Sequence, residues 1–276
     1  MSRKPALLYV TDLAYEARGR RYGDEDVRLS ARLREDFRIA LCHPRDAAAL
    51  MDAFDAVVVR NSGPVLHHRD AWEDFRARAL ERGTRVFNEL SGRADMVGKR
   101  YLTELSAAGE PVIPTVDRRE DLDRLPPAAE YVVKPELGAD SIGMEVVPAD
   151  RLAGLALGLD AGLLVQPRID FRHEVSFYFV DRSFQYALYA PDPARRWELE
   201  PYAPTADDLA FAQRFVDWNT IDHGIQRVDA CRTAEGELLL VELEDLNPYL
   251  SLDRVDADAR EAFAAAMTAS LHALLA

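Results

Sequence analysis

The chain has 276 residues, 48% of them hydrophobic and 30% charged, enough to bury a full core in one large domain or in two or three smaller units. Its formal charge of −14 at pH 7 argues against a surface that holds nucleic acid or anionic lipid, because such partners need a net basic patch. A local pocket of lysine and arginine for one phosphorylated ligand stays compatible with that charge.

The first apolar run, PALLYV, is far too short for a signal-peptide core or a membrane span and reads as a first strand. After it come the charged periodic stretch DEDVRLSARLRED, then FRIALCH, RDAAALMDAF, DAVVVRNSG, HHRDAWEDFRARALERG and RVFNEL. This alternation predicts a βαβ unit with a small parallel sheet, whose ligands are expected at the carboxyl ends of its strands. Cys42 and Cys231 lie far apart in apolar settings without a CxxC pattern, which predicts reduced thiols and a cytoplasmic protein.

GRADMVGKRYLTELSAAG predicts a helix closed by Gly109, with Lys99 an exposed helix residue, and PVIPTV a further strand. From Tyr131 the strands come closer together: EYVVKP, GMEVVP, GLLVQPRI, HEVSFYFVDR and SFQYALYAP. That spacing predicts antiparallel hairpins. DDLAFAQRFVDWNT predicts an amphipathic helix, GIQRVDACRT and ELLLVELED two strands around Glu235-Gly236, and the alanine-rich C-terminal segment a last helix. The fold class is therefore mixed, α/β followed by α+β.

Two patterns carry chemistry. A two-residue turn at Glu235-Gly236 would set Asp229 opposite Glu242 and Arg227 opposite Glu244, all on one face. The continuous apolar run Leu238–Val241 predicts a central strand. Three partly buried carboxylates repel one another, and a hard divalent cation such as Mg²⁺, shared with a nucleotide phosphate, would compensate them. A solvated acidic strand end with Arg227 as an ion-pair partner is the alternative reading. In the second pattern, Lys134 ends a strand just before a loop with Gly138, Ser141 and Gly143, where backbone N–H groups approach an anion. A plain hairpin turn with a snorkelling lysine is the other reading of that stretch.

In order and spacing, residues 88 to 253 resemble the ATP-grasp superfamily, with a first domain similar to the one preceding the grasp fold in glutathione synthetases and D-alanine–D-alanine ligases. The resemblance implies a pre-grasp domain over residues 1–92 and a grasp domain over 93–276, with a small lid at about 112–168. It implies that Lys99 and Lys134 bind ATP phosphates under a Gly138–Gly143 flap, that Gln166 lies along the adenine, and that Glu174 holds the ribose. Pro167 has no N–H, so a backbone bond to adenine falls to Arg168 or Ile169. Arg227 is implied as the catalytic arginine and Asp229, Glu242 and Glu244 as ligands of Mg²⁺, or of Mn²⁺, with Pro248 completing the pattern.

Glu244 stands where an asparagine is common, although a glutamate at that position occurs in cycloserine-synthetase-like branches, and Ser176 replaces an arginine of bacterial glutathione synthetases. The implied activity is ADP-forming ligation of a carboxylate to an amine through an acyl phosphate. A kinase, an intramolecular cyclising ligase and a non-catalytic nucleotide-binding domain remain as alternatives. Small carboxylate and amine substrates are implied, and dimers are common in similar enzymes. Arg60, Asn61 and Ser62 end a first-domain strand where a substrate carboxylate would dock, the other reading being a loop whose Asn and Ser satisfy turn hydrogen bonds; Arg195, Arg196 and His173 are further candidates, and His67 and His68 read as surface residues.

Overall fold

The computed structural model describes residues 3–17, 20–60, 67–138, 141–152, 162–195 and 197–276. Strand β1 (Ala6–Val10) is followed by the short ladder β2 (Glu16–Ala17) and β3 (Arg20–Arg21), helix α1 (Gly23–Leu33) and β4 (Arg38–Cys42). The short α2 (Ala47–Leu50), β5 (Ala56–Val59), α3 (Arg69–Arg82) and β6 (Val86–Phe87) complete a parallel sheet in the order β4-β1-β5-β6. The inner strands β1 and β5 are buried on both faces, which is why they read as continuous apolar runs, whereas the edge strand β4 is only partly buried. Leu8, Val10, Val57 and Val59 pack with Phe75 and Ala79 of α3 on one face, while Leu7, Tyr9 and Val58 face α1 on the other.

Next come α4 (Tyr101–Ala107), β7 (Glu130–Pro135), β8 (Glu145–Pro148), the single-turn α5 (Ala149–Leu152) and β9 (Leu163–Pro167). These three strands form a small sheet, β8-β7-β9, over a core of its own that includes Tyr131, Val133, Val147 and Val165. A larger antiparallel sheet follows, built from β10 (Phe171–Val180), β11 (Ser183–Ala190), β12 (Glu200–Tyr202), β13 (Ile225–Thr233) and β14 (Leu238–Glu244) in the order β12-β11-β10-β13-β14. Helix α6 (Ala206–Asn219) starts with a capping box from Thr205 and Asp208, and packs with α4 under one face of this sheet. Helix α7 (Ala257–Leu275) closes the chain.

The other face of the large sheet is divided. Part of it, including Tyr178, Val180, Tyr186 and Ile225, joins Leu7, Tyr9, Phe37, Phe263 and Met267 in one core that unites the N-terminal sheet, the large sheet and α7. The rest of that face stays open and polar.

Three elements depart from the sequence expectation. Lys99 does not sit in a helix: residues 95–97 form a 3₁₀ turn, Gly98 has φ of 103°, and α4 starts only at Tyr101. PVIPTV is not a ladder strand; Pro111–Ile113 runs along β14, with Leu240 N donating to Pro111 O (2.9 Å) and Ile113 N donating to Leu240 O (3.1 Å). β14 is consequently an edge strand rather than a central one, and this segment covers its edge.

Arg60 is also corrected. It is fully buried at the end of β5, 3.4 Å from Glu25 Oε1 and 3.6 Å from Asp26 Oδ1, and it donates to Pro248 O at 3.0 Å. Glu25 in turn accepts from Leu250 N (2.9 Å) and Leu252 N (3.0 Å), so the cluster fixes the chain leaving β14 against α1 and the N-terminal sheet. Burial raises the Glu25 carboxyl to about 7, with Arg60 opposing that rise. Its guanidinium is thus committed to structure and does not face a substrate. Asn61 and Ser62 lie outside the described residues. Arg60→Ala should destabilise the fold by about 3–5 kcal/mol in urea unfolding, because it strands two buried acids; near-normal stability with an altered substrate KM would restore the docking role.

Candidate active site

The open face is built on the β13–β14 hairpin. Arg227 pairs with Glu244 and Asp229 with Glu242, the register the sequence suggested, but the route to it differs. Thr233 N donates to Glu237 O (2.9 Å), and Gly236 has φ of 98°, so the turn is one residue longer than Glu235-Gly236. A bulge at Val241, between the Asp229–Glu242 and Ala230–Leu240 pairs, then restores the alignment. Both Val241 and Glu242 consequently line the cavity.

Charge is compensated carboxylate by carboxylate. Arg227 donates through Nε to Asp229 Oδ1 (3.0 Å), through Nη2 to Asp229 Oδ2 (2.8 Å) and Glu244 Oε1 (2.5 Å), and through Nη1 to Tyr249 O (2.9 Å). Ser176, opposite Asp229 in the ladder, adds a donation to Asp229 Oδ1 at 2.6 Å. Lys99 Nζ sits 2.7 Å from Glu242 Oε1. Burial raises the Glu242 carboxyl, but Lys99 and Lys134 outweigh it and hold the group below its ordinary range. Glu244 is pushed up to about 8 by burial and by its neighbours Asp229 and Glu242, against the pull of Arg227. Lys134 is drawn down to about 8, chiefly by burial and further by Lys99, with Glu242 opposing.

Lys99 owes its place to a joint between the end of β14 and the turn before α4. Asp245 accepts from Ala94 N (3.1 Å) and Met96 N (2.7 Å), while Asp95 accepts from Asp245 N (2.6 Å) and Leu246 N (3.0 Å). Gly92 is required there, since a Cβ would stand 2.3 Å from Asp245 Oδ2. Lys99 N then donates to Glu136 O at 2.9 Å, which ties the same turn to the end of β7.

The small sheet supplies the opposite wall. Tyr131 and Val133 point into its own core, so Lys134 falls on the other face, beside Leu164 and toward the cavity. The β7–β8 hairpin folds over with Ser141 (φ 60°) and Gly143 (φ 74°) in left-handed conformations. A Cβ on Gly143 would lie 2.9 Å from Pro135 Cγ. The resulting cavity, about 250 Å³, is lined by Lys99, Lys134, Gly138, Ser141, Glu174, Arg227, Asp229, Glu242 and Glu244.

No family model matches the sequence. The cycloserine biosynthesis protein DcsG of Streptomyces lavendulae is 26% identical over 247 residues, a match covering 77% of this chain and 82% of that protein. The crystal structure of D-cycloserine synthetase DcsG superposes with a TM-score of 0.76 at 22% identity, over 98% of this chain and 100% of that one. The ATP-bound D-alanine–D-alanine ligase of Bacillus anthracis gives 0.69 at 14% identity over 98% of each chain, and the ATP-grasp ligase PsnB with a minimal precursor gives 0.67 at 17%, over 98% and 100%. The chain has the ATP-grasp fold.

Within the ATP-grasp fold the remaining predicted residues separate. Gln166 is buried, faces the same side as Lys134 and donates through Nε2 to Thr115 Oγ1 at 2.8 Å. Arg168 is corrected as a hinge donor: its N–H is bound to Glu130 O (2.9 Å), extending the ladder, and its guanidinium pairs with the Glu130 carboxylate. Ile169 alone of the two keeps that assignment. Gly143, Gln166, Arg168 and Ile169 are not on the cavity lining, where Glu174 is. Arg195 pairs with Asp192 and Glu198, His173 packs between Tyr189 and Tyr202, and Arg196 lies outside the described residues. His67 is exposed as expected, whereas His68 is half-buried, its side chain being 10% exposed.

Sequence reasoning missed Tyr22, Trp197, Asn247 and Tyr249 on the cavity wall. Tyr22 stacks on Tyr249 with ring centroids 4.6 Å apart, a pairing of residues too distant in sequence to leave a local signal. Asn247 carried a signal, a polar side chain directly before Pro248 at the end of the acidic strand. Gly143→Ala should speed amide exchange in β7 and β8 about tenfold, the equivalent of about 1–2 kcal/mol of backbone strain, with the large sheet unaffected; unchanged exchange would contradict the glycine requirement.

Proposed function

We propose that the chain is an ATP-dependent carboxylate–amine ligase that works through an acyl phosphate. The observation that carries this reading is the convergence of Lys99, Lys134, Arg227 and the carboxylates of Asp229, Glu242 and Glu244 on a single cavity between the β7–β8 hairpin and the β13–β14 hairpin. The likeness in fold to ligases, one of them bound to ATP, supports it.

Lys99 and Lys134 would hold the phosphates, with Gly138, Ser141 and Gly143 as the flap above them. Glu174 would take the ribose, and Gln166 and Ile169 would border the adenine. Asp229, Glu242 and Glu244 offer only oxygen donors, the set suited to Mg²⁺ or Mn²⁺. Lys99 pairs with Glu242, and Arg227 bridges Asp229 and Glu244, so these cations now occupy oxygens that the ion would take. When bound, the ion would neutralise phosphate charge and polarise the transferred group.

A carboxylate oxygen of the substrate attacks the γ-phosphorus, the bond to the β-phosphate oxygen breaks, and ADP leaves. The amine nitrogen then attacks the acyl carbon, inorganic phosphate departs, and one amine proton is lost to solvent. Arg227, with its planar donor fork, stabilises the charge that develops on the acyl phosphate, and the lysines and the flap position the phosphoryl group. No side-chain nucleophile is required.

The likeness to D-cycloserine synthetase favours, as a second reading, closure of a ring within one molecule. Among the described residues no helix is long and apolar enough to cross a membrane, and we place the reaction in the cytoplasm with small-molecule substrates.

The test is ADP release with Mg²⁺-ATP across a panel of amino acids and short peptides, singly and in pairs, with phosphate and product mass followed together. ADP and phosphate that appear with one pair, beside a condensed mass, establish the ligase. Loss of water from one compound marks the cyclising form, and a stable phosphorylated product would overturn ligation in favour of a kinase. Glu242→Ala should abolish Mg²⁺-dependent turnover; near-normal activity would remove it from the metal set. Lys134→Ala should weaken ATP binding at least tenfold by calorimetry, in line with about 1.5–3 kcal/mol for a charged hydrogen bond.

A further inference from the structure

Away from the cavity, Asp12, His43 and His68 come together in the N-terminal domain. Asp12 follows β1, His43 follows β4, and His68 immediately precedes α3 on the path from β5. Three loops at the carboxyl edge of the parallel sheet therefore converge on one point, the edge at which such sheets gather ligands.

The geometry is specific. One ligating atom from each residue lies within 4.8 Å of the others, and the Nε2 atoms of His68 and His43 are 3.4 Å and 3.7 Å from the same oxygen, Asp12 Oδ2. A tetrahedral ion with bonds of about 2.0–2.1 Å sets its ligands roughly 3.4 Å apart, so an ion fits between these atoms after small shifts. Asp12 Oδ1 is occupied by Ala14 N–H at 2.9 Å, which orients the carboxylate and leaves Oδ2 directed at the two rings. Beside His68 the wall is apolar, formed by Val10, Val59, Trp72 and Phe75. The side chains of Asp12 and His68 are 14% and 10% exposed, whereas His43, at 37%, stands at the mouth.

We propose that Asp12, His43 and His68 form a binding site for a transition-metal dication of the zinc class. Two imidazoles and one carboxylate suit such an ion and not Mg²⁺, which prefers oxygen ligands alone. The fourth position is left to water. Binding has a local cost at each ring: His68 gives up its 3.4 Å hydrogen bond to Asp12 and carries its ring proton on Nδ1, which is buried without a partner among the described residues, and at His43 Arg45 N–H donates to Nδ1 at 3.2 Å, which keeps the ring proton on Nε2. Ligation through Nε2 moves that proton to Nδ1 and gives up the Arg45 contact.

The site is read directly with Co²⁺ standing in for zinc, added to the full chain in excess Mg²⁺ so that the acidic strands are saturated. The expected result is one Co²⁺ per chain with the visible absorption of a four-coordinate ion. His68→Gln should abolish that absorption. His43→Gln, at the exposed mouth where folding is not at stake, should weaken Co²⁺ binding at least about tenfold, and Glu242→Gln should leave it intact. Absence of four-coordinate absorption in the unaltered chain, its persistence in both histidine variants, or its loss in Glu242→Gln would each overturn the assignment.

Discussion

Three carboxylates projecting from one hairpin into a poorly solvated cavity cannot all stay ionised without cations among them, and the rest of the structure answers that constraint. Arg227 holds Asp229 and Glu244 together, Lys99 neutralises Glu242, and Lys134 stands across the gap on the small sheet. The cations come from three different parts of the chain. Their positions, and those of the acids, therefore depend on how β14, the turn before α4 and the small sheet are joined.

Those joints are made by buried polar groups rather than by apolar packing alone. Asp95 and Asp245 cross-link the Lys99 turn to the end of β14 through backbone N–H groups, and burial together with Asp245 raises the Asp95 carboxyl well above its ordinary range. Arg60, held by Glu25 and Asp26, and Glu25 itself fix the segment after β14 to the N-terminal sheet and α1. Each of these groups is costly to bury, and through them the backbone at residues 95 and 245–252, which borders the cavity wall, is held in place.

Much of this was legible in sequence. The parallel sheet, the hairpins and the shared face of Arg227, Asp229, Glu242 and Glu244 follow from apolar periodicity and strand alternation, which are local signals. The hairpin register came out right for a reason the sequence does not display: a longer turn and a bulge at Val241 cancel each other. Lys99 looked like an exposed helix residue because Gly98 and the Asp95–Asp245 joint, which stop the helix before it, act through contacts 150 residues apart. Arg60 was misplaced for the same reason, since its partners at Glu25 and Pro248 are tertiary neighbours. The edge position of β14 was hidden because Pro111–Ile113 covers it, so an apolar run typical of a central strand survives at an edge.

Lys99 and Arg227 keep the acidic hairpin in balance, and in the proposed function a metal–nucleotide complex takes over that task. A crystal structure with Mg²⁺ and a non-hydrolysable ATP analogue tests this most directly. The predicted result places phosphate oxygens on Lys99 and Lys134, with metal on Asp229, Glu242 and Glu244 and the 2.7 Å pair between Lys99 and Glu242 broken. A nucleotide bound elsewhere, or one seated in the cavity with that pair intact and no metal on the three carboxylates, would contradict it.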